Sequence, residues 1–310
     1  MKKSITRLSL LFAALMLVSA TAIAETFNPS LKKGDVATYR NTTTQIFEVV
    51  PGSKTYSAQI SELTVAVEKE NKVGPVVTVT TNDFTFDVTG YMAETVKKML
   101  PATMADYLKG NVVELQYDRH GNAIDVLNFD SIVARTRAYV DNCPPMLRPG
   151  IESTLNVFMQ KDMLIRNYNT IGAIFGLSGL DVKEGASFET NVPGMGNMPI
   201  ICSKIEKSHE SAAIDFQSGT VTDFPELYNA TRQAAMQQLG YTTVTPEMEA
   251  QIDAQVKKIF ENLKLKSTIS YELFKNRWPE KIVQKTAIAG SPSKLTGVDV
   301  EIICLSHKLK

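Results

Sequence analysis

The chain has 310 residues, with 33 Lys and Arg against 33 Asp and Glu. Setting aside Lys2, Lys3 and Arg7 in the N-terminal segment leaves 30 basic against 33 acidic residues, a charge of −3. That balance excludes the basic footprint of a nucleic-acid binder, and no long like-charge run offers a patch for an anionic membrane.

Met1-Lys2-Lys3 with Arg7 makes a short positive start, and Leu8 to Val18 is a nearly unbroken apolar run. Ala22 and Ala24 then stand in an A-x-A arrangement before Glu25. This is the pattern of a bacterial-type secretory signal peptide over residues 1–24, cleaved between Ala24 and Glu25. The apolar run falls short of the about 20 residues that span a bilayer. The first mature residue would be Glu25 rather than Cys, so the expected product is periplasmic or secreted and not a lipoprotein. No later stretch approaches spanning length, and residues 25–310 are expected to form a single exported α+β domain without a transmembrane segment. Cys143, Cys202 and Cys304 are an odd set, so at least one thiol stays unpaired in a monomer. A Cys202–Cys304 bridge and three buried free thiols are the two alternatives.

After the turn at Leu31-Lys-Lys-Gly34-Asp35, residues 36–50, 56–68, 76–81 and 84–88 are rich in Val, Thr, Ile and aromatics and read as strands. The gaps between them are too short for crossover helices, which predicts antiparallel hairpins. The period then changes. Met92, Val96, Met99, Leu100, Met104, Tyr107 and Leu108 recur at helical steps, interrupted by Pro101 and stopped by Gly110. A hairpin is expected across Asp118–Asn122. Two helices should follow. The first has Asn128 as N-cap and a Phe129, Ile132, Val133, Thr136, Val140 stripe. The second starts near Pro149 and points Ile151, Leu155, Phe158 and Met159 inward.

Strands are expected again at 188–192, 198–206 and 212–221, then helices at 224–239 and 246–263. The last helix has Thr245 as N-cap and Pro246 at its first position, with Ile252, Val256, Ile259, Phe260 and Leu263 inward. A final hairpin pairs 267–273 with 281–288, and 298–305 closes the chain as a strand. Val182-Lys-Glu-Gly185 echoes Leu31-Lys-Lys-Gly34, and the order of strands, helix and hairpin occurs over both 31–128 and 182–305, joined by the helices of 129–180. Two repeats of duplicated origin are the reading. The fold class expected is α+β, a large mainly antiparallel sheet covered by amphipathic helices.

Motifs for chemistry are lacking. None of His120, His209 and His307 pairs with another His or Cys at zinc spacing, and His209-Glu210 is not continued into H-E-x-x-H. Gly176-Leu-Ser-Gly179 is not a nucleophile elbow, Gly194-Met-Gly196 is not a dinucleotide loop, and Asp118–Asp125 misplaces the glycine of a calcium loop. No catalytic residue, metal or cofactor is assigned. Val192-Pro-Gly-Met195-Gly-Asn-Met198-Pro199 is a glycine-rich connection carrying two adaptable methionines. It is either a contact loop over an apolar pocket or a hairpin tip tucked into the core edge. Trp278, beside Pro279 in the last hairpin turn, is either a contact residue or packed beneath that turn.

The signal segment, the Lys32-Lys33-Gly34-Asp35 entry, the Tyr117-Asp-Arg-His-Gly121 hairpin and the Tyr271–Pro279 hairpin together resemble exported proteins of the Bacteroidetes type, from which no site residue is carried over. Within that resemblance, Asp130-Ser131-Ile132 is similar to the O-glycosylation acceptor pattern of that phylum. More distantly, the sheet-and-helix plan resembles LolA-type lipoprotein carriers, in which a half-barrel holds acyl chains. That likeness implies a half-barrel sheet and an apolar ligand, with fold alone as its warrant. The expectation is therefore a non-enzymatic protein binding an apolar or lipid-like envelope ligand, with Met92, Met99, Met104, Met195, Met198 and Trp278 as contact candidates. The alternatives are an envelope protein-interaction module with a filled core, and a periplasmic hydrolase whose site is dispersed in sequence.

Overall fold

The structure, a computed structural model, describes residues 25–27, 32–91, 93–94, 102–119, 121–146, 148–177, 180–192, 196–208, 210–238, 245–275, 278–291 and 293–309. The segment ending at Ala24 lies outside these, as do Met92, Met99, Met195, His120 and His209. The strands are β1 Glu25–Phe27, β2 Val36–Val50, β3 Ser53–Glu70, β4 Pro75–Gly90, β5 Val112–Tyr117, β6 Ala123–Val126, β7 Leu180–Val182, β8 Ser187–Val192, β9 Gly196–Lys207, β10 Ser211–Gln217, β11 Lys264–Phe274, β12 Pro279–Ala289 and β13 Leu295–Lys308.

Apart from the small β1–β7 pair, all of them join one antiparallel sheet in the order β6-β5-β4-β3-β2-β13-β12-β11-β10-β9-β8. Each hairpin stays with its sequence neighbour, and the last strand, β13, enters between β2 and β12 to unite the two meanders. Residues 75–90, which the pattern divides at 81–84, form one strand with a register shift opposite Glu62 and Leu63. Alternation fixes which face is inward. In β11, Leu265, Ser267, Ile269, Tyr271 and Leu273 are buried, while Lys264, Lys266, Thr268, Ser270 and Glu272 are exposed.

The sheet is strongly curled. Five strand intervals separate Tyr117 on β5 from Trp278 at the start of β12, about 24 Å across a flat sheet. Yet Phe175 lies with its ring centroid 5.2 Å from Tyr117 and 6.2 Å from Trp278. The two strands must therefore bend toward each other around that one phenylalanine.

The described helices are α1 Ala102–Leu108, α2 Phe129–Asn142, α3 Arg148–Phe158, α4 Lys161–Gly172, α5 Pro225–Gln238 and α6 Pro246–Phe260. Their closest approaches to the sheet are to its flanks: α1 to β4, α2 to β5, and α4 to both β6 and β8. The last contact pair spans the two opposite edges of the sheet, so α4 is the wedge between them. It is tied to β6 by Asn169, whose Oδ1 accepts the Ala123 N–H at 2.7 Å, and by the Lys161–Asp125 ion pair at 2.6 Å. Where its end meets the β5–β6 turn, Gly172 and Gly121 face each other so closely that a Cβ on either would collide with the other's carbonyl oxygen. Gly121 also has φ 79°, a conformation few side chains tolerate.

Three local expectations are corrected. Asn128 makes no side-chain cap. Its amide instead accepts from Glu114 N and donates to Val112 O, both at 2.9 Å, taking the place of a strand partner for β5. Ile259 and Val133 are exposed rather than inward. For Ile259, the small α5–α6 hairpin is seated by Ile252 and Val256, which lie on another side of α6. Thr245 does cap α6, accepting from Met248 N.

The two meanders enter through turns with the same bonding. Gly34 N donates to Val67 O and Gly185 N to Cys202 O, each at 2.8 Å. Asp35 and Ala186 close the turns onto Lys32 and Lys183, and Val67 and Cys202 donate back to Asp35 and Ala186. Both glycines are left-handed, with φ 86° and 83°.

Candidate functional site

The concave face divides into two ends. At the end near Trp278 the inward positions of the central strands are apolar and buried: Ala37 and Tyr39 on β2, Leu63, Val65 and Val67 on β3, Val77 and Val79 on β4. The segment 173–177, following α4, pushes Ile174, Phe175 and Leu177 into this space. Buried hydroxyls find partners there. Tyr117 donates to Tyr168 O at 3.0 Å, Tyr39 to Pro279 O at 3.2 Å, and Tyr107 pairs with Thr136 at 2.7 Å. Burial raises the phenol pKa of Tyr39, Tyr117 and Tyr271, and pushes that of Tyr168 up to about 12. This end is a packed core.

Beyond Tyr39, Leu63 and Thr81 the regular alternation stops. β5 pairs only with Val76–Thr80 of β4, so β2, β3 and β4 continue as a long wing. On its inner face Asn41, Thr43, Ser57, Phe84 and Phe86 are half-buried and Gln59 is exposed. Register places Phe86, Gln59, Thr43 and Val300 in one row across four strands, with Phe84, Ser61, Asn41 and Ile302 in the next. A polar stripe on β2 and β3 therefore runs between an aromatic wall on β4, where Phe84 and Phe86 meet edge-on at 5.0 Å, and an aliphatic wall on β13. Asn41 Oδ1 is buried there with no hydrogen-bond partner among the described residues. Burial resumes at Thr55 and Val88, so the open zone is bounded at both ends.

The expected contact residues are distributed unevenly. Met198 does not lie in a loop: β8 and β9 pair as far as Val192 and Gly196, which puts Met198 in β9 at 3 % exposure, facing the core. Trp278 is 2 % exposed and packs edge-on against Phe175 in the core rather than standing as an exposed contact residue. Met104 belongs to α1. Phe84, Phe86 and the polar stripe were missed, since a Phe-Thr-Phe alternation reads as ordinary strand.

The three cysteines are free. Cys202 on β9 and Cys304 on β13 stand four strand intervals apart, which excludes a bridge between them. His307 packs against Phe274 with the two rings tilted by 43° and their centroids 4.6 Å apart, and these two, Glu210 and Lys275 line an open cleft of about 460 Å³ at the rim of the packed end. Among the described residues no group of three or more His, Cys, Asp or Glu could hold a metal ion, and no helix is long and apolar enough to cross a membrane.

No family model matches the chain, and no curated protein matches it. Among solved structures it is similar to one described as lipid–protein interactions in lipovitellin, at 12% identity and TM-score 0.42, over 90% of this chain and 26% of that one. The chain spans about a quarter of the length of that neighbour.

Proposed function

We propose that this is an exported binding protein that holds an amphiphilic, lipid-like ligand in the wing of its curled sheet. One observation carries the reading: a bounded zone of the concave face where burial lapses on β2, β3 and β4, with Phe84 and Phe86 half-exposed in register with the buried Ile302 and Val300 and a polar stripe between. Concave surfaces lined by aromatic and aliphatic groups, with a few polar ones, are the usual form of a small-molecule site. The half-exposed phenylalanine wall suits an acyl or other apolar chain, and Asn41, Thr43 and Gln59 suit its polar atoms. The packed end supplies rigidity, because a core stapled by Phe175 holds the curl without a ligand. The fully packed state of Met198 and Trp278 favours the second reading, an interaction module acting through its outer surface.

Native mass spectrometry of protein purified from its own host tests this. The expected result is co-purifying lipid that is lost in Phe84→Asp/Phe86→Asp, with melting behaviour retained. Protein that is ligand-free and also fails to take up a fluorescent fatty-acid probe overturns the reading. Export is tested separately, by an intact mass beginning at Glu25.

A further inference from the structure

The wing ends in a projection. β13 begins opposite Phe47, with Lys294 O accepting the Glu48 N–H, and β4 ends opposite Thr55, with Lys54 O accepting the Tyr91 N–H. Residues 49–53 therefore extend past both neighbouring strands. Their side chains are not those of a solvated turn. Val49 is 54 % exposed and Val50 42 %, followed by Pro51 and Gly52. One step behind them stand Tyr91 at 49 % and Tyr56 at 39 %. Isolated exposed apolar residues mean little, but here two exposed valines occupy the projection and two exposed tyrosines stand on the strand ends just behind it.

The charges beside the patch are also ordered. Glu48 uses its carboxylate to accept the Gly52 N–H at 2.7 Å, bracing the turn. Lys54 and Lys294 flank the tip and are exposed. Apolar at its end, with tyrosines behind and lysines at its sides, the projection repeats the order of a phospholipid surface read from the acyl boundary outward through interface and phosphate.

We propose that the β2–β3 tip is a membrane-contact element that seats Val49 and Val50 at the acyl boundary of a phospholipid bilayer, with Tyr56, Tyr91 and the two lysines in its headgroup layer. This rests on the ligand-binding reading, since it places the open zone of the wing, a few residues behind the tip, next to the source or destination of a lipid. A contact of this size is shallow and reversible, as a carrier requires.

The experiment uses the full mature chain with Val50→Trp. Trp278 is buried and gives a constant background, so changes in emission report the tip. With phosphatidylcholine–phosphatidylglycerol vesicles the expected result is a blue shift, quenching by brominated lipid, and co-flotation. Val49→Asp/Val50→Asp should weaken vesicle binding by about tenfold or more while leaving fatty-acid-probe uptake intact. Lys54→Glu/Lys294→Glu should weaken it in a salt-dependent way. No blue shift and no co-flotation, or vesicle binding unaffected by the aspartates, overturns the proposal and leaves the ligand reading standing. A tip-dependent dimer formed without vesicles overturns it in favour of a second copy of this chain. Loss of probe uptake in Phe84→Asp/Phe86→Asp, with vesicle binding intact, supports two separate sites.

Discussion

At one end of the sheet the inward side chains of β2 and β3 are Ala37, Tyr39, Leu63, Val65 and Val67; at the other, on the same strands, they are Asn41, Thr43, Ser57, Gln59 and Ser61. The backbone ladder is continuous between them, so strand geometry does not distinguish the ends. The difference lies in what is placed over them. The first end receives Phe175 from the segment after α4 and is consumed in making the fold. The second keeps polar and aromatic groups half-exposed on a surface already curved by the first. The packed core and the half-exposed groups thus occupy different lengths of the same strands.

The sharpest way to break that comparison is to truncate one phenylalanine at each end. Phe175→Ala should cost about 3–5 kcal/mol in denaturant unfolding, because Tyr117 and Trp278 lose their shared partner. Phe86→Ala should cost about 1 kcal/mol or less, yet reduce fatty-acid-probe affinity severalfold. Equal losses of stability would mean that the wing is core as well.

Gly172→Ala tests the wedge. In an exposed helix this change is favourable by about 1 kcal/mol. Here the methyl meets the Gly121 carbonyl oxygen, and a destabilisation of about 3 kcal/mol is expected by the same measurement. A neutral result would show that α4 can retreat without cost.

An alkaline titration sharpens the contrast further. Tyr39, Tyr117, Tyr168 and Tyr271 all belong to the packed end and all have raised pKa values. A phenol with a raised native pKa gives stability that is complete below its unfolded value near 10 and is lost as pH rises through the native one. Unfolding should therefore steepen between pH 10 and about 12, the value of Tyr168, with phenolate absorbance appearing together with the loss of near-ultraviolet dichroism. Phenolate formation well before unfolding would contradict burial of these rings.

The smallest effect concerns Asp125. Its hydrogen bond from Lys161 holds the carboxyl below its ordinary value. The stabilisation is present above the unfolded pKa near 3.9 and is lost as pH falls through the lowered native one. Both partners are largely exposed, so Asp125→Asn should cost under about 1 kcal/mol at neutral pH and the difference should vanish in acid.

Much of this architecture was legible in the sequence. β-branched runs and two-residue periodicity gave the strands, and short gaps between them gave antiparallel pairing. The insertion of β13 between β2 and β12 was not legible, because no local signal says which edges of two meanders meet. Asn128 was misread for a related reason. Its type suits a helix cap, but a neighbouring strand with unpaired backbone groups competes for the same amide. Of the two readings of the 192–199 connection, Met198 follows the core-edge one, because cross-strand pairing carries the ladder to Gly196 and turns Met198 inward. The candidate site stayed hidden because exposure, rather than residue type, defines it, and exposure depends on the curl imposed by Phe175.

The position of α4 has a consequence for assembly. A sheet of eleven strands has two free edges, and each presents unpaired N–H and C=O groups on which another chain can add a strand. Here both edges, β6 and β8, meet the same twelve-residue helix. One local opening, the release of α4, would bare both at once. A molecule with a single sticky edge can only pair off, whereas one with two at opposite ends of its sheet can propagate into an open chain. The Gly121–Gly172 contact and the Asn169 amide hold that helix against β6, and conditions that loosen it are where edge-to-edge association of this protein should first be sought.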